Sequence, residues 1–294
     1  MSEAIPNTVA AESHTVLPPV DRAPLRRRRW RAVGVQLGCI TVTVFMALPI
    51  VLIGLSAVSS REALDKFPKP LIPDHFSGET LSSFFRATGT VPAFGNSVLV
   101  GLHTVFWSLV IGAPAGYALA RYAFRGKDTY QVFILLVRAL PIVVLSVPLA
   151  TIFLHAHVYD TVLAVTLVHT TLALPTTVLI TASIFVAVPA DLEEAAQVFG
   201  CTRWQAARKV VVPLALPGLA ASSIFTFVLS WNEILGATIV TLSHRTLPAQ
   251  VLTSLSEASA PYRFAGGFAL IIPALLFILA MRRYLVNMWG TTLR

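Results

Sequence analysis

Six long apolar stretches, near residues 33–57, 93–120, 130–154, 161–186, 214–241 and 264–286, alternate with shorter polar connections. Each reaches the roughly 20 residues that an α-helix needs to cross a hydrocarbon core. Backbone immersed in lipid must satisfy its own hydrogen bonds, and a helix does so within one segment. The pattern predicts an all-α, polytopic membrane protein with six transmembrane helices. The first stretch is too long for the apolar region of a cleavable signal, so it reads as a retained helix. A twin-arginine export signal at Arg28-Arg29 is the rival, and the apolar runs downstream count against it. Residues 1–32 are polar, contain Pro18, Pro19 and Pro24, and end in Arg26-Arg27-Arg28-Arg29-Trp30-Arg31. Such a leader cannot bury enough apolar surface to fold and is expected to be disordered, which leaves 33–294 as the transmembrane domain.

Composition agrees: of 294 residues, 55% are hydrophobic and 12% charged, too apolar for an ordinary soluble domain. A net charge of +8 would suit a nucleic-acid binder, but the basic residues stand at the ends of apolar runs instead of forming a basic and aromatic surface. They report topology. Arg121, Arg125, Lys127, Arg203, Arg208, Lys209, Arg282, Arg283 and Arg294 fall on one side with the leader, whereas the loops near 155–160 and 242–263 carry only Arg245 and Arg263. The positive-inside rule then puts both termini in the cytoplasm and the charge-balanced segment 58–92 outside. Only two cysteines occur, Cys39 and Cys201, so no disulfide framework or CxxC pattern can be argued.

The loop at 187–213, inside by this topology, is amphipathic and charged. Asp191 and Glu194 have the spacing of a capping box, and Leu192, Ala195, Ala196 and Phe199 recur on one helical stripe while Glu193 and Gln197 face elsewhere. Gly200 falls where a left-handed residue closes a helix, and Thr202 with Gln205 repeats the capping signal for a second helix that Pro213 is expected to interrupt. By themselves these residues also fit an ordinary surface helix with an acidic first turn.

Glu194-Ala195-Ala196, Gly200 and Val210-x-Val212-Pro213 together resemble the EAA loop of permease subunits in bacterial ABC importers. Phe199 and Cys201 depart from that pattern, which often has an acidic residue before the glycine and an alanine after it. Asn96-Ser97-Val98, Gly116 to Lys127, Leu174-Pro175, Ser230-Trp231-Asn232-Glu233 and Arg282 to Asn287 are similar to the carbohydrate branch, the maltose and trehalose type. The resemblance implies a type I ABC importer permease fold in the bacterial inner membrane. It also implies a coupling surface at Leu192, Glu194, Ala195, Ala196, Phe199 and Gly200. Implied partners are two ABC ATPase subunits carrying ATP and Mg, a second permease, and an extracytoplasmic solute-binding protein. No cofactor is expected on this chain, and no catalytic or metal-binding residue is assigned.

Inside the membrane, Arg138 in the third stretch is a functional candidate, because a charge there is costly unless it pairs or meets water. Equally, lying about 8 residues or roughly 12 Å from the inner boundary, it could reach the headgroups. Trp231, Asn232 and Glu233 offer an aromatic face with hydrogen-bonding groups, which suits a sugar path, or else an outer aromatic belt. A direct Arg138–Glu233 pair would have to close roughly 16 Å of depth at helical rise with these span boundaries, so it is not expected. His169 reads as a hydrogen-bonded helix contact. Prolines 114, 141, 148, 175, 217 and 273 interrupt the stretches and are candidate hinges.

Two other classes stand as rivals. A gradient-driven transporter would use Arg138 and Glu233 as relay groups, but it predicts a paired hydropathy repeat that is not visible. A membrane enzyme would want clustered ligands, for which His155, His157 and Asp160 are a thin set. The phosphate-binding GxxxxGK[ST] pattern is absent, since Asp128 follows Gly126-Lys127 and Arg121 stands at the first glycine's position.

Overall fold

The fold is given by a computed structural model that describes residues 23–60, 72, 75–255 and 260–290. Its elements are α1 (Ala23–Ala57), α2 (Glu79–Arg86), α3 (Thr90–Arg121), α4 (Lys127–Arg138), α5 (Ile142–His155), α6 (Val162–Ala187), α7 (Ala190–Val198), α8 (Arg203–Ala206), α9 (Val212–Asn232), α10 (Leu235–Val240), α11 (Leu247–Leu255) and α12 (Ala260–Gly290). Apart from one bridge between Ser59 and Phe76, no strand pairing occurs among the described residues. The chain divides into a unit through Ile50 and another from Val51 onward. In the first unit α1 begins at Ala23, inside the stretch read as disordered leader; residues 1–22 lie outside the described residues. Its apolar side chains, among them Leu37, Ile40 and Phe45, are exposed, as a lipid-facing helix requires.

In the second unit α3 and α6 pack along their length, with Gly112 and Gly116 on the α3 side admitting Thr177 and Thr181 of α6. Small residues at such a crossing let backbones approach where no hydrophobic effect drives the contact. Two apolar clusters flank this pair, one around Phe84, Trp231 and Leu247 and another around Val165, Val168 and Val240.

Among the described residues five helices are long and apolar enough to cross a membrane, and there are six crossings if α4 and α5 are counted together. That third crossing, expected over 130–154, is not one continuous helix. It bends by 87° between α4 and α5, because Pro141 is extended and has no N–H with which to continue α4. The other five prolines lie inside continuous helices, so as candidate hinges only Pro141 coincides with a break. The fifth crossing likewise stops at Asn232 instead of 241, with Glu233 extended before the separate helix α10.

Pro213 does not interrupt the chain either. A π-helical turn over Ala207–Val211 joins α8 to α9, and the N–H of Val212 reaches back to Ala207 O. Widening the turn moves the carbonyl that a proline ring would otherwise strike, so the helix runs on from Arg203 to Asn232.

Candidate functional site

The predicted helix–glycine–helix is present. Helix α7 closes in a Schellman turn: Gly200, at φ 91°, donates its N–H to Gln197 O, and Cys201 donates to Ala196 O, each at 3.0 Å. The Thr202–Gln205 capping box is formed on both sides, at 2.9 and 3.3 Å. The Asp191–Glu194 box is not: α7 starts at Ala190 behind Pro189, so Asp191 is already inside the first turn and cannot cap it.

The burial pattern separates two faces of α7. Leu192 is 44%, Val198 84% and Phe199 88% exposed, and nearby Trp204 is 71% exposed, while Glu194, Ala195 and Gly200 are also open to solvent and Ala196 is half-buried. Glu193 points the opposite way and is buried. Its carboxylate accepts from the Tyr117 hydroxyl on one oxygen and from Arg121 Nε, at 3.0 Å, on the other. Arg121 also donates through Nη2 to Val188 O at 2.8 Å. Tyr117 and Arg121 belong to the stretch Gly116 to Lys127 that resembles the carbohydrate branch, but nothing in that resemblance pairs them with Glu193. The available signal was their spacing: Tyr117 and Arg121 are one helical turn apart at the C-terminal end of α3 and therefore share a face.

A second site lies within the membrane region, where Arg138, Asn232 and Glu233 line a cavity of about 690 Å³ with Leu172, Phe225 and Leu252. The bend before Pro141 carries Arg138, the last residue of α4, to the same cavity as Glu233, despite the depth gap expected from helical rise. The two form no ion pair among the described residues. Glu233 is engaged elsewhere: His169 Nε2 lies 3.0 Å from its carboxylate, and the N–H groups of Gly236 and Ala237 donate to it at 2.9 and 3.1 Å. His169 is fully buried and shares its Nδ1 with Ser230 Oγ at 2.8 Å, so it is the helix contact that was expected. Trp231 does not line the cavity. It is buried, stacked on Phe227 with its indole N–H on Leu270 O at 2.8 Å, because a tryptophan inside a bundle needs both ring contacts and a partner for its donor. The Asn232 amide, which also lines the cavity, donates back to Val228 O at 2.9 Å.

At the opposite end of α6 from α7, Asp160 ties two loops together. One carboxylate oxygen accepts from the backbone N–H groups of Leu242, Ser243 and His244 at 2.8, 2.8 and 3.1 Å. Burial alone would raise its pKa, but these three donors outweigh it and hold the group down at about 2. His155, His157 and Asp160 do not assemble a ligand set: among the described residues no group of three His, Cys, Asp or Glu side chains could hold a metal.

Comparison with known proteins adds the following. Residues 108–287 match the family described as binding-protein-dependent transport system inner membrane component. The trehalose transport system permease protein SugB of Mycobacterium tuberculosis is 34% identical over 222 residues, 74% of this chain and 81% of that one. The diacetylchitobiose uptake system permease protein DasC of Streptomyces coelicolor is 35% identical over 168 residues, 57% and 59% of the two chains. Among solved structures, a bacterial ABC transporter involved in the import of the acidic polysaccharide alginate superposes with a TM-score of 0.67 and 18% identity, covering 88% of this chain and 98% of that one.

Proposed function

Since the chain belongs to the family of inner membrane components of binding-protein-dependent transport systems, we propose that it is a permease subunit of an ATP-driven importer that moves a di- or oligosaccharide, or a polyol, inward by alternating access. The sugars named for its relatives, trehalose and diacetylchitobiose, support the substrate class. These relatives are permeases, which leaves the gradient-driven and enzymatic readings without support.

The observation that carries the proposal is the exposed apolar face of α7, with Leu192, Val198, Phe199 and neighbouring Trp204 turned outward while Glu193 anchors the opposite side. An apolar patch of this kind, on an otherwise charged loop, calls for a protein partner. In this reading the partner is one of two ATPase subunits, which bind ATP and Mg. The basic residues flanking the loop support a cytoplasmic position for it and for both termini. A second permease completes the pathway, and a solute-binding protein delivers sugar from outside. The cavity at Arg138, Asn232 and Glu233 is the part of the sugar path that this chain contributes: mostly apolar walls with a few hydrogen-bonding groups suit a hydroxyl-bearing ring.

The test is to tag the chain, purify it gently from its native membrane, and identify what accompanies it by mass spectrometry. An ATPase subunit, a second permease and a solute-binding protein are expected. In the same cells Glu194→Gln and Gly200→Pro should abolish sugar uptake while membrane insertion persists. A chain that purifies alone, or normal uptake in both variants, refutes the proposal.

A further inference from the structure

The docking face of α7 accounts for Leu192 and Phe199 but leaves Tyr117, Arg121 and Glu193 without a task, although they form a dense polar cluster beside it. Their geometry is specific. Arg121 sits in the last turn of α3, and its two donors hold opposite sides of the α6–α7 junction: Nη2 bonds Val188 O, the residue that ends α6, and Nε bonds Glu193 within α7. Only Val188 and Pro189 separate the two helices. Proline fixes its own φ but leaves ψ free, so this short turn does not by itself set the angle between α6 and α7. A planar guanidinium, whose donors keep a fixed mutual geometry, can set it. Glu193 is held through both oxygens, the second by Tyr117 one turn earlier on α3, and the side chains of Arg121 and Glu193 are only 13% and 10% exposed, so water competes poorly for them.

We infer that Tyr117, Arg121 and Glu193 form a latch that fixes α7 to the C-terminal end of α3 and prevents it from pivoting on the Val188-Pro189 turn. This rests on the reading of α7 as the ATPase-docking helix. A partner that pulls on Phe199 and Leu192 then moves α3 and α6 as one body, and the glutamate that transmits the stroke is Glu193, beside the Glu194 that faces solvent. These three are positioning residues: none touches sugar or nucleotide.

The test uses the complete transporter, with its ATPase, second permease and binding protein, reconstituted in lipid. Sugar imported per ATP hydrolysed is measured for Arg121→Ala, Glu193→Gln and Tyr117→Phe. Removing one partner leaves a buried charge uncompensated, so Arg121→Ala should lower the ratio at least about ten-fold, with Glu193→Gln and Tyr117→Phe giving smaller losses. Arg121→Lys, which keeps the charge facing Glu193, should recover part of it. A geometric readout separates the latch from general stability: nitroxide labels at Ser183→Cys and Asp191→Cys, in a chain with Cys39 and Cys201 replaced by serine, should give a narrow distance distribution that broadens in Arg121→Ala and Glu193→Gln and, to a smaller extent, in Tyr117→Phe. Where Arg121→Ala does not assemble, Tyr117→Phe decides, and an unchanged ratio with an unchanged distribution overturns the inference. Gly200→Pro serves as reference. If it collapses the ratio and the latch variants do not, only the latch has failed; if it too leaves the ratio unchanged, the docking reading has failed and the latch with it.

Discussion

Replacing Gly116 by alanine should force α3 and α6 apart. A methyl group at that position would stand 2.2 Å from Thr181 Oγ1, 2.7 Å from the backbone N of Ala182 and 3.0 Å from the carbonyl carbon of Thr181. The hydroxyl could turn away only by giving up its bond to Gly112 O at 3.0 Å, and the other two atoms are backbone that moves only if α6 moves. Bringing 2.7 Å to an ordinary contact of 3.4 Å requires a separation of 0.7 Å at the crossing, enough to forfeit a quarter to a half of the dispersion energy along the contact. Overpacking of this kind costs about 1–3 kcal/mol, and the lost buried hydrogen bond adds about 1 kcal/mol. Alanine returns about 1 kcal/mol through its better helix propensity. The net expectation is destabilisation by about 2 kcal/mol, ~30-fold in the unfolding equilibrium. Reversible unfolding of the purified chain in detergent measures it. Gly112→Ala, which meets the movable Thr177 side chain at 2.9 Å, should cost less, and Gly38→Ala, inside α1 with nothing within 4 Å, should stabilise by the propensity gain of up to about 1 kcal/mol. A Gly116→Ala protein as stable as wild type, or the reverse order among the three, would refute the close-packing argument.

His169→Leu should lower the melting temperature markedly. It strips Glu233 of its imidazole partner and leaves Ser230 short of one, and breaking a buried pair this way costs about 3–5 kcal/mol, reduced here because Gly236 and Ala237 still donate to the carboxylate. Glu233→Gln keeps an acceptor for those donors and should lose much less, so equal losses in the two variants would count against the network. Asp160→Asn should destabilise the loop pairing at neutral pH by about 1 kcal/mol, a figure discounted because the side chain is partly solvated. The folded pKa of Asp160 is depressed, so its contribution is complete above 3.8, the ordinary value, and fades as the pH falls toward about 2. Hydrogen exchange at Leu242 to His244 should therefore accelerate over that window in wild type and start fast in the variant; a variant that exchanges as slowly as wild type at pH 7 excludes the clamp.

Much of this protein is written in one dimension. Long apolar runs determine that helices cross a membrane, since lipid leaves backbone polar groups no other partner. Gly200 and the Thr202–Gln205 box determine the turn between α7 and α8, because their bonds span only a few residues. Each of these is local, and the turn and the box formed as the spacing implied. Asp191 was misread for a reason of the same scale: a cap depends on the residue at which the helix starts, and Pro189 moved that start back.

What the tertiary structure decided is which groups meet across the bundle. Arg138 and Glu233 share a cavity because a kink at Pro141 redirects α4, and depth reckoned from helical rise carries no information about a bend. Trp231 belongs to the core and not the cavity because Phe227 and Leu270 surround it, and Leu270 lies 39 residues further along the chain. Glu193 and Glu194 are adjacent and chemically identical, yet one is buried on Tyr117 and Arg121 while the other faces solvent. Helical periodicity set them about 100° apart on the helix. Which of the two turned toward the bundle was settled by α3, whose C-terminal end supplies the hydroxyl and the guanidinium that make burying a carboxylate tolerable.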